Sequence, residues 1–137
     1  MSGVPNFSFK YRIYWEDTDA GGVVYYANYL KFMERCRTEW LRTLGLDQGR
    51  LRIERQIQFA IVSVAVDFLC PAVLDDEIRV TASLERLGGV AISFKQAIWR
   101  DAVQLIDAST RVACVDSGTL KPRAIPKDLF TEWRNEQ

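Results

Sequence analysis

The sequence predicts an α+β domain in which a five-stranded antiparallel sheet wraps one long central helix. Three observations lead there. The apolar residues recur with period two at the start of the chain, lengthen once to a spacing of three or four, and return to period two for most of the remainder. A single stretch is both long and periodic enough for a helix of several turns. The length, 137 residues, suits one ordinary domain spanning 1–137 and is too short for two substantial cores.

The first strand is expected over 7–15, with Phe7, Phe9, Tyr11, Ile13 and Trp15 on one side and Ser8, Lys10, Arg12 and Tyr14 on the other. A loop follows, and then a helix over about 27–44. In it Tyr26, Leu30, Met33, Arg37, Trp40 and Leu44 recur every three or four positions, Tyr29, Phe32, Cys36 and Leu41 widen the stripe, and Gly45 stops it. At 1.5 Å per residue it would be roughly 27 Å long, with an apolar face broad enough to need a whole sheet around it. Residues 56–69 are apolar and β-branched, and a change of phase near Ile61 and Val62 predicts a bulge. Beyond it Val62, Val64, Val66 and Phe68 alternate with Ser63, Ala65 and Asp67. Residues 77–87 alternate again, and Gly88-Gly89 turns them into a partner over 90–100, a hairpin. The last strand, 104–115, carries apolar residues in both registers, as expected of a strand covered on both faces. From 121 the prolines of KPRAIP exclude a regular element, and a short helix is expected over about 127–133. An open sheet has two edges, and long edges with few charges invite a second copy, so a homodimer with a continuous sheet is expected.

Composition narrows the function. Lys plus Arg equals Asp plus Glu at 18 each, which gives no net electrostatic reason to bind nucleic acid or an acidic membrane. The segment MSGVPNFSFKYR has no cationic stretch leading into an apolar one, and the strongest apolar run, 59–66, is far short of the roughly 18 residues of a membrane span. No membrane insertion, no export and a cytoplasmic location are the expectation. Cys36, Cys70 and Cys114 are odd in number, far apart and outside any CxxC pair, so they read as buried fillers of a reduced protein. There is no histidine. That excludes Ser-His-Asp and Cys-His chemistry and the usual zinc hydrolase site, and leaves carboxylates, backbone dipoles, tyrosines and lysines.

The loop before the helix reads EDTDAGGVVYYAN over 16–28. As a turn it makes sense: Gly21 and Gly22 supply positive φ and one acid caps the helix. Yet a cap needs one acid, and Glu16, Asp17 and Asp19 are three, followed by Val23 and Val24, which belong in a core. The local pattern alone favours the turn, but the excess of acids opens a second reading, as a site. A helix amino terminus presents unpaired N–H groups and about half a positive charge, which can hold a developing anion. A carboxylate on the loop before it can attack a carbonyl carbon or deprotonate a water that does so. That pairing suits a thioester, whose thiolate leaves with a pKa near ~8.5 and needs little acid assistance.

These residues carry a resemblance that covers nearly the whole chain. YWEDTDAGGVVYYANYLKFMERCRTEWL resembles the signature of the 4-hydroxybenzoyl-CoA thioesterase family, hot-dog folds, and within it the bacterial acyl-CoA thioesterases associated with the Tol-Pal envelope system. LDD at 74–76, CVD at 114–116 and KPRAIPK at 121–127 resemble that branch as well. The resemblance implies hydrolysis of an acyl-CoA to free acid and coenzyme A, the coenzyme being part of the substrate, with no separate cofactor and no metal. It implies Asp19 as nucleophile or general base, in the D-x-x-G-x-V segment, and the backbone N–H of Tyr26 as oxyanion donor. Tyrosine stands at 26 where the Tol-Pal branch often has histidine. Gly22, Val23, Tyr25, Asn28 and Tyr29 fall near the site, and Ser63 matches a position that lines the pocket in related enzymes. Arg86 is the one cation where the 4-hydroxybenzoyl-specific branch keeps a basic cluster for the coenzyme A phosphates, with Lys121 and Arg123 as alternatives. Asp17, two positions farther from the helix, reads as a turn or cap residue. The family further implies a homodimer with the acyl cleft at its interface, a homotetramer, and acyl carrier protein or lipid-synthesis enzymes as partners. Two other readings stand beside it. Hot-dog dehydratases rely on histidine, which is absent here, and a non-catalytic acyl-CoA or acyl-carrier-protein binding module would not need Asp19.

Overall fold

The computed structural model describes residues 6–131. Strand β1 (Asn6–Arg12) leads through a 3₁₀ turn (Trp15–Asp17) and a loop into helix α1 (Asn28–Thr43). A short helical segment (Gln48–Arg50) and one π-helical turn (Leu51–Arg55) then lead to β2 (Ile57–Phe68), β3 (Glu77–Leu87), β4 (Ala91–Arg100) and β5 (Val103–Asp116). All pairings are antiparallel, in the order β1-β3-β4-β5-β2, so β1 and β2 are the two edges.

The register explains the core. Phe9, Val80, Ile98, Ile106 and Phe68 form one cross-strand row, and Phe7, Ala82, Gln96, Ala108 and Val66 form the next but one. Because side chains alternate across a strand, every second row faces α1. The helix answers with Tyr29, Phe32, Met33, Cys36, Arg37, Trp40 and Leu41, all buried. Tyr11 packs on Phe32 with centroids 4.5 Å apart, Trp40 on Phe94 at 5.8 Å, and the Cys36 thiol lies 3.5 Å from the Val80 carbonyl oxygen. Gly45, at φ 79°, ends the helix in the left-handed conformation. The bulge falls between Ile61 and Ser63, at the expected change of phase.

Four features differ from the sequence expectation. Trp15 does not extend β1: Asp17 Oδ2 takes the Tyr14 N–H at 2.8 Å, a turn closes, and Trp15 swings out to 78% exposure. Tyr26 and Leu30 leave the buried stripe at 63% and 44% exposure, because β2 beneath them is an edge that α1 does not cover. The helical turns over 48–55 were hidden by Gly49; Asp47 starts them by accepting the Gly49 and Arg50 N–H groups. Strand β5 is covered on both faces only toward its ends, where Leu105 and Val115 are buried, while Asp107, Ser109 and Arg111 keep one face polar. Residues 127–130 turn and bend, helical geometry begins at Thr131, and the rest of the helix expected over 127–133 lies outside the described residues. Among the described residues no helix is long and apolar enough to cross a membrane.

Candidate active site

The loop between β1 and α1 is a small hairpin braced on the body of the protein. Thr18 and Val24 bridge across it, and the Asp19 N–H donates to the Val23 carbonyl at 2.8 Å. At its tip the Gly22 N–H returns to the Asp19 carbonyl at 3.0 Å, and the Gly21 N–H bonds Asp19 Oδ1 at 2.8 Å. The glycines have separate reasons. Gly22 holds φ 83°, which L-residues seldom adopt, whereas a Cβ on Gly21 would stand 3.2 Å from Asp19 Oδ1. Asp19 is exposed, and its Oδ2 takes no hydrogen bond from any described residue.

The base of the hairpin is anchored on both sides. Val24 is buried and its N–H donates to Ala72 O at 2.9 Å, while Val23 bridges Val73. The Ala72 N–H in turn donates to the Tyr29 hydroxyl at 3.0 Å. Burial pushes the Tyr29 phenol above its ordinary pKa, against the opposing pull of that N–H and of Arg100. Asp76 completes the brace by accepting the Val73 N–H at 2.9 Å and pairing with Arg100 at 2.7 Å. Sequence reasoning missed this 72–76 support; its one signal was the LDD segment. Asp17 is a structural acid, 8% exposed, whose carbonyl holds both the Tyr25 N–H at 3.0 Å and Asn28 Nδ2 at 2.9 Å. Asn28 is thereby committed to the loop backbone.

No side chain caps α1. The Asn28 N–H bonds Tyr25 O at 2.8 Å and the Tyr29 N–H bonds Tyr26 O at 3.3 Å, while the Tyr26 N–H finds no acceptor among the described residues. An uncapped donor at the positive end of a helix and an open carboxylate oxygen therefore lie on one loop. Beside Tyr26 is an apolar hollow of about 240 Å³ lined by Val24, Tyr26, Tyr29, Phe68, Leu69, Cys70 and Pro71. Tyr25 is half-exposed, its ring 5.0 Å from that of Tyr26. Two further expected residues lie elsewhere in the protomer. Ser63 and Arg86 belong to a single cross-strand row, Arg86, Ser93, Arg111 and Ser63, and Ser63 lines a groove that includes none of the loop residues.

The fold defines a class, the hot-dog domain. The sequence matches the family described as the thioesterase superfamily over residues 21–106. It is 47% identical over 123 residues to the acyl-CoA thioesterase YbgC of Haemophilus influenzae, covering 90% of each chain. It is 40% identical over 129 residues to the acyl-CoA thioester hydrolase YbgC of Escherichia coli, covering 93% of this chain and 96% of that one. The crystal structure of a probable thioesterase from Bartonella henselae superposes with a TM-score of 0.84 at 32% identity, over 89% of this chain and 100% of the other. The chain belongs to the thioesterase superfamily and is a thioester hydrolase.

Proposed function

We propose that the protein hydrolyses acyl-CoA thioesters to free acid and coenzyme A, with Asp19 as the reacting carboxylate and the Tyr26 N–H as oxyanion donor. The observation that carries this is the pairing on one loop of a carboxylate with an open oxygen and a helix-terminal N–H without an acceptor among the described residues. As nucleophile, Asp19 Oδ2 attacks the thioester carbonyl, the oxyanion settles on the Tyr26 N–H, and the thiolate leaves a mixed anhydride that water cleaves. As general base, Asp19 takes a proton from water, which attacks instead. A single turnover in ¹⁸O-water identifies the nucleophilic route if the label enters Asp19, as it does when water cleaves the anhydride at the Asp19 carbonyl; trapping the anhydride identifies it when water attacks the acyl carbonyl instead. Thiol release from a panel of acyl-CoA esters is expected to fall about 10²- to 10⁴-fold in Asp19→Asn, and an unchanged rate would refute the mechanism.

The site reading extends to assembly. Ile61, Val62, Val64, Phe68 and Leu69 are 39–54% exposed along or beside the β2 edge. The β1 edge is shorter and carries Lys10 and Arg12, the kind of charge that discourages pairing. A homodimer through β2 would extend the sheet and set a second copy against Tyr26 and Phe68, closing the hollow into an acyl cleft.

A further inference from the structure

Between α1 and the inner face of the sheet, level with the third turn of the helix, a cavity of about 140 Å³ remains. That is room for four or five waters at about 30 Å³ each. Phe59, Ile61, Phe94 and Val112 give it an apolar wall, and Arg37, Thr38 and Gln48 a polar one. Gln48 Nε2 donates to the Thr38 hydroxyl at 3.2 Å, and that hydroxyl donates to Glu34 at 2.6 Å, so this part of the wall is satisfied within itself.

Arg37 is not. It is 9% exposed, and its one hydrogen bond to a described residue runs from NH1 to Gln96 Oε1 at 2.8 Å. Gln96 is held in that orientation because its Nε2 donates to Met33 O at 3.1 Å. No described carboxylate lies within 4 Å of the guanidinium; Glu34, which also lines the cavity, is exposed, accepts from Thr38 and acts on Arg37 only through its charge at longer range. A guanidinium has five N–H donors and stays charged; no Arg37 nitrogen is sealed from solvent without a partner, so donors beyond the Gln96 bond are available to a ligand or to water. Thr110, in register with Phe94 but not among the residues lining this cavity, is 2% exposed and its hydroxyl has no partner among the described residues.

The cavity and the hollow beside Tyr26 share no lining residue. Leu30, Val64 and Phe68 are exposed between α1 and β2, and the helix rises roughly 16 Å from Tyr26 to Arg37. We propose that the cavity receives the far end of the acyl chain, and that Arg37 selects acyl groups terminating in a carboxylate, held by its spare donors in the two-pronged manner that suits a guanidinium. The proposal rests on the acyl-CoA reading above and names the substrate class within it.

The test uses a length series of saturated acyl-CoA esters and their ω-carboxy counterparts. Binding is measured by calorimetry on Asp19→Asn, and kcat/KM on the unaltered protein. At the length that reaches Arg37, the ω-carboxy ester should bind about tenfold or more tighter than its alkyl counterpart. In the Asp19→Asn background, Arg37→Leu should bring that ratio to about one, while Arg37→Lys retains part of it. A ratio of one or less at every length overturns the proposal, as does a preference that survives Arg37→Leu. If neither series is hydrolysed but Asp19→Asn still discriminates, the acyl-CoA hydrolase reading fails and the cavity assignment stands. If both are hydrolysed equally well at every length, the reverse holds. Should Arg37→Leu not fold, the length series alone decides.

Discussion

Asp17 Oδ2 accepts the Tyr14 N–H and its carbonyl holds two donors, whereas Asp19 gives one oxygen to its own turn and leaves the other open. Substitution should therefore separate the two acids. Asp17→Ala removes a cap-like bond worth about 1 kcal/mol and should lower Tm by about 4 °C while much of the thiol release persists. Asp19→Asn should do the opposite. Thermal melts and rates on the same preparations check both. The thiols make a second case. Burial pushes the Cys36 pKa up to about 12 and raises that of Cys114, while Cys70 is only half-buried. Alkylation of the native protein near pH 8, read by mass spectrometry, should mark Cys70 and spare Cys36 until the chain is denatured. Since the unfolded chain releases the Cys36 proton near 9 and the folded chain holds it to about 12, the folded state binds more protons between those values. Stability must then fall as pH rises through that window, which denaturant melts at stepped pH can follow.

Among the elements, α1 was readable almost to the residue, because Gly45 marks its end and its apolar spacing is helical. The β2 bulge was equally plain, since inserting one residue reverses which side chains face the core. Trp15 was misread because alternation in sequence continues past the point where Asp17 closes a turn. Tyr26 and Leu30 were misread for another reason: period shows which side chains share a face, not how far the opposing layer extends. The hairpin was legible in its glycines and valines, but its support was not, as Ala72, Val73 and Asp76 lie some fifty positions away and act mainly through backbone groups. Gly22, at φ 83°, gives an element-level prediction. Gly22→Val forces a β-branched residue into the left-handed region at roughly 1–2 kcal/mol, and should loosen the tip and reduce kcat more than it lowers Tm.

For the whole molecule, the strand order leaves β2 as the long edge with exposed apolar side chains. Val62→Lys should convert the proposed dimer to monomer in analytical ultracentrifugation and remove the dependence of Tm on protein concentration; an unaltered sedimentation profile would place the interface elsewhere. The same order separates early from late contacts in time. Strands β3, β4 and β5 follow one another in sequence and in space, so their pairings close only short loops. By contrast β1 must find β3 across the length of α1, and β2 must find β5 across the two strands between them. Loop closure of that kind slows folding. The three-strand meander is therefore the natural nucleus, and the two edges join last. Weakening Ile92 or Val112 should slow refolding, whereas weakening Phe7 or Phe9 should chiefly speed unfolding. An apolar strand that docks late stays unpaired longest, so refolding yield should drop with protein concentration before any equilibrium property changes.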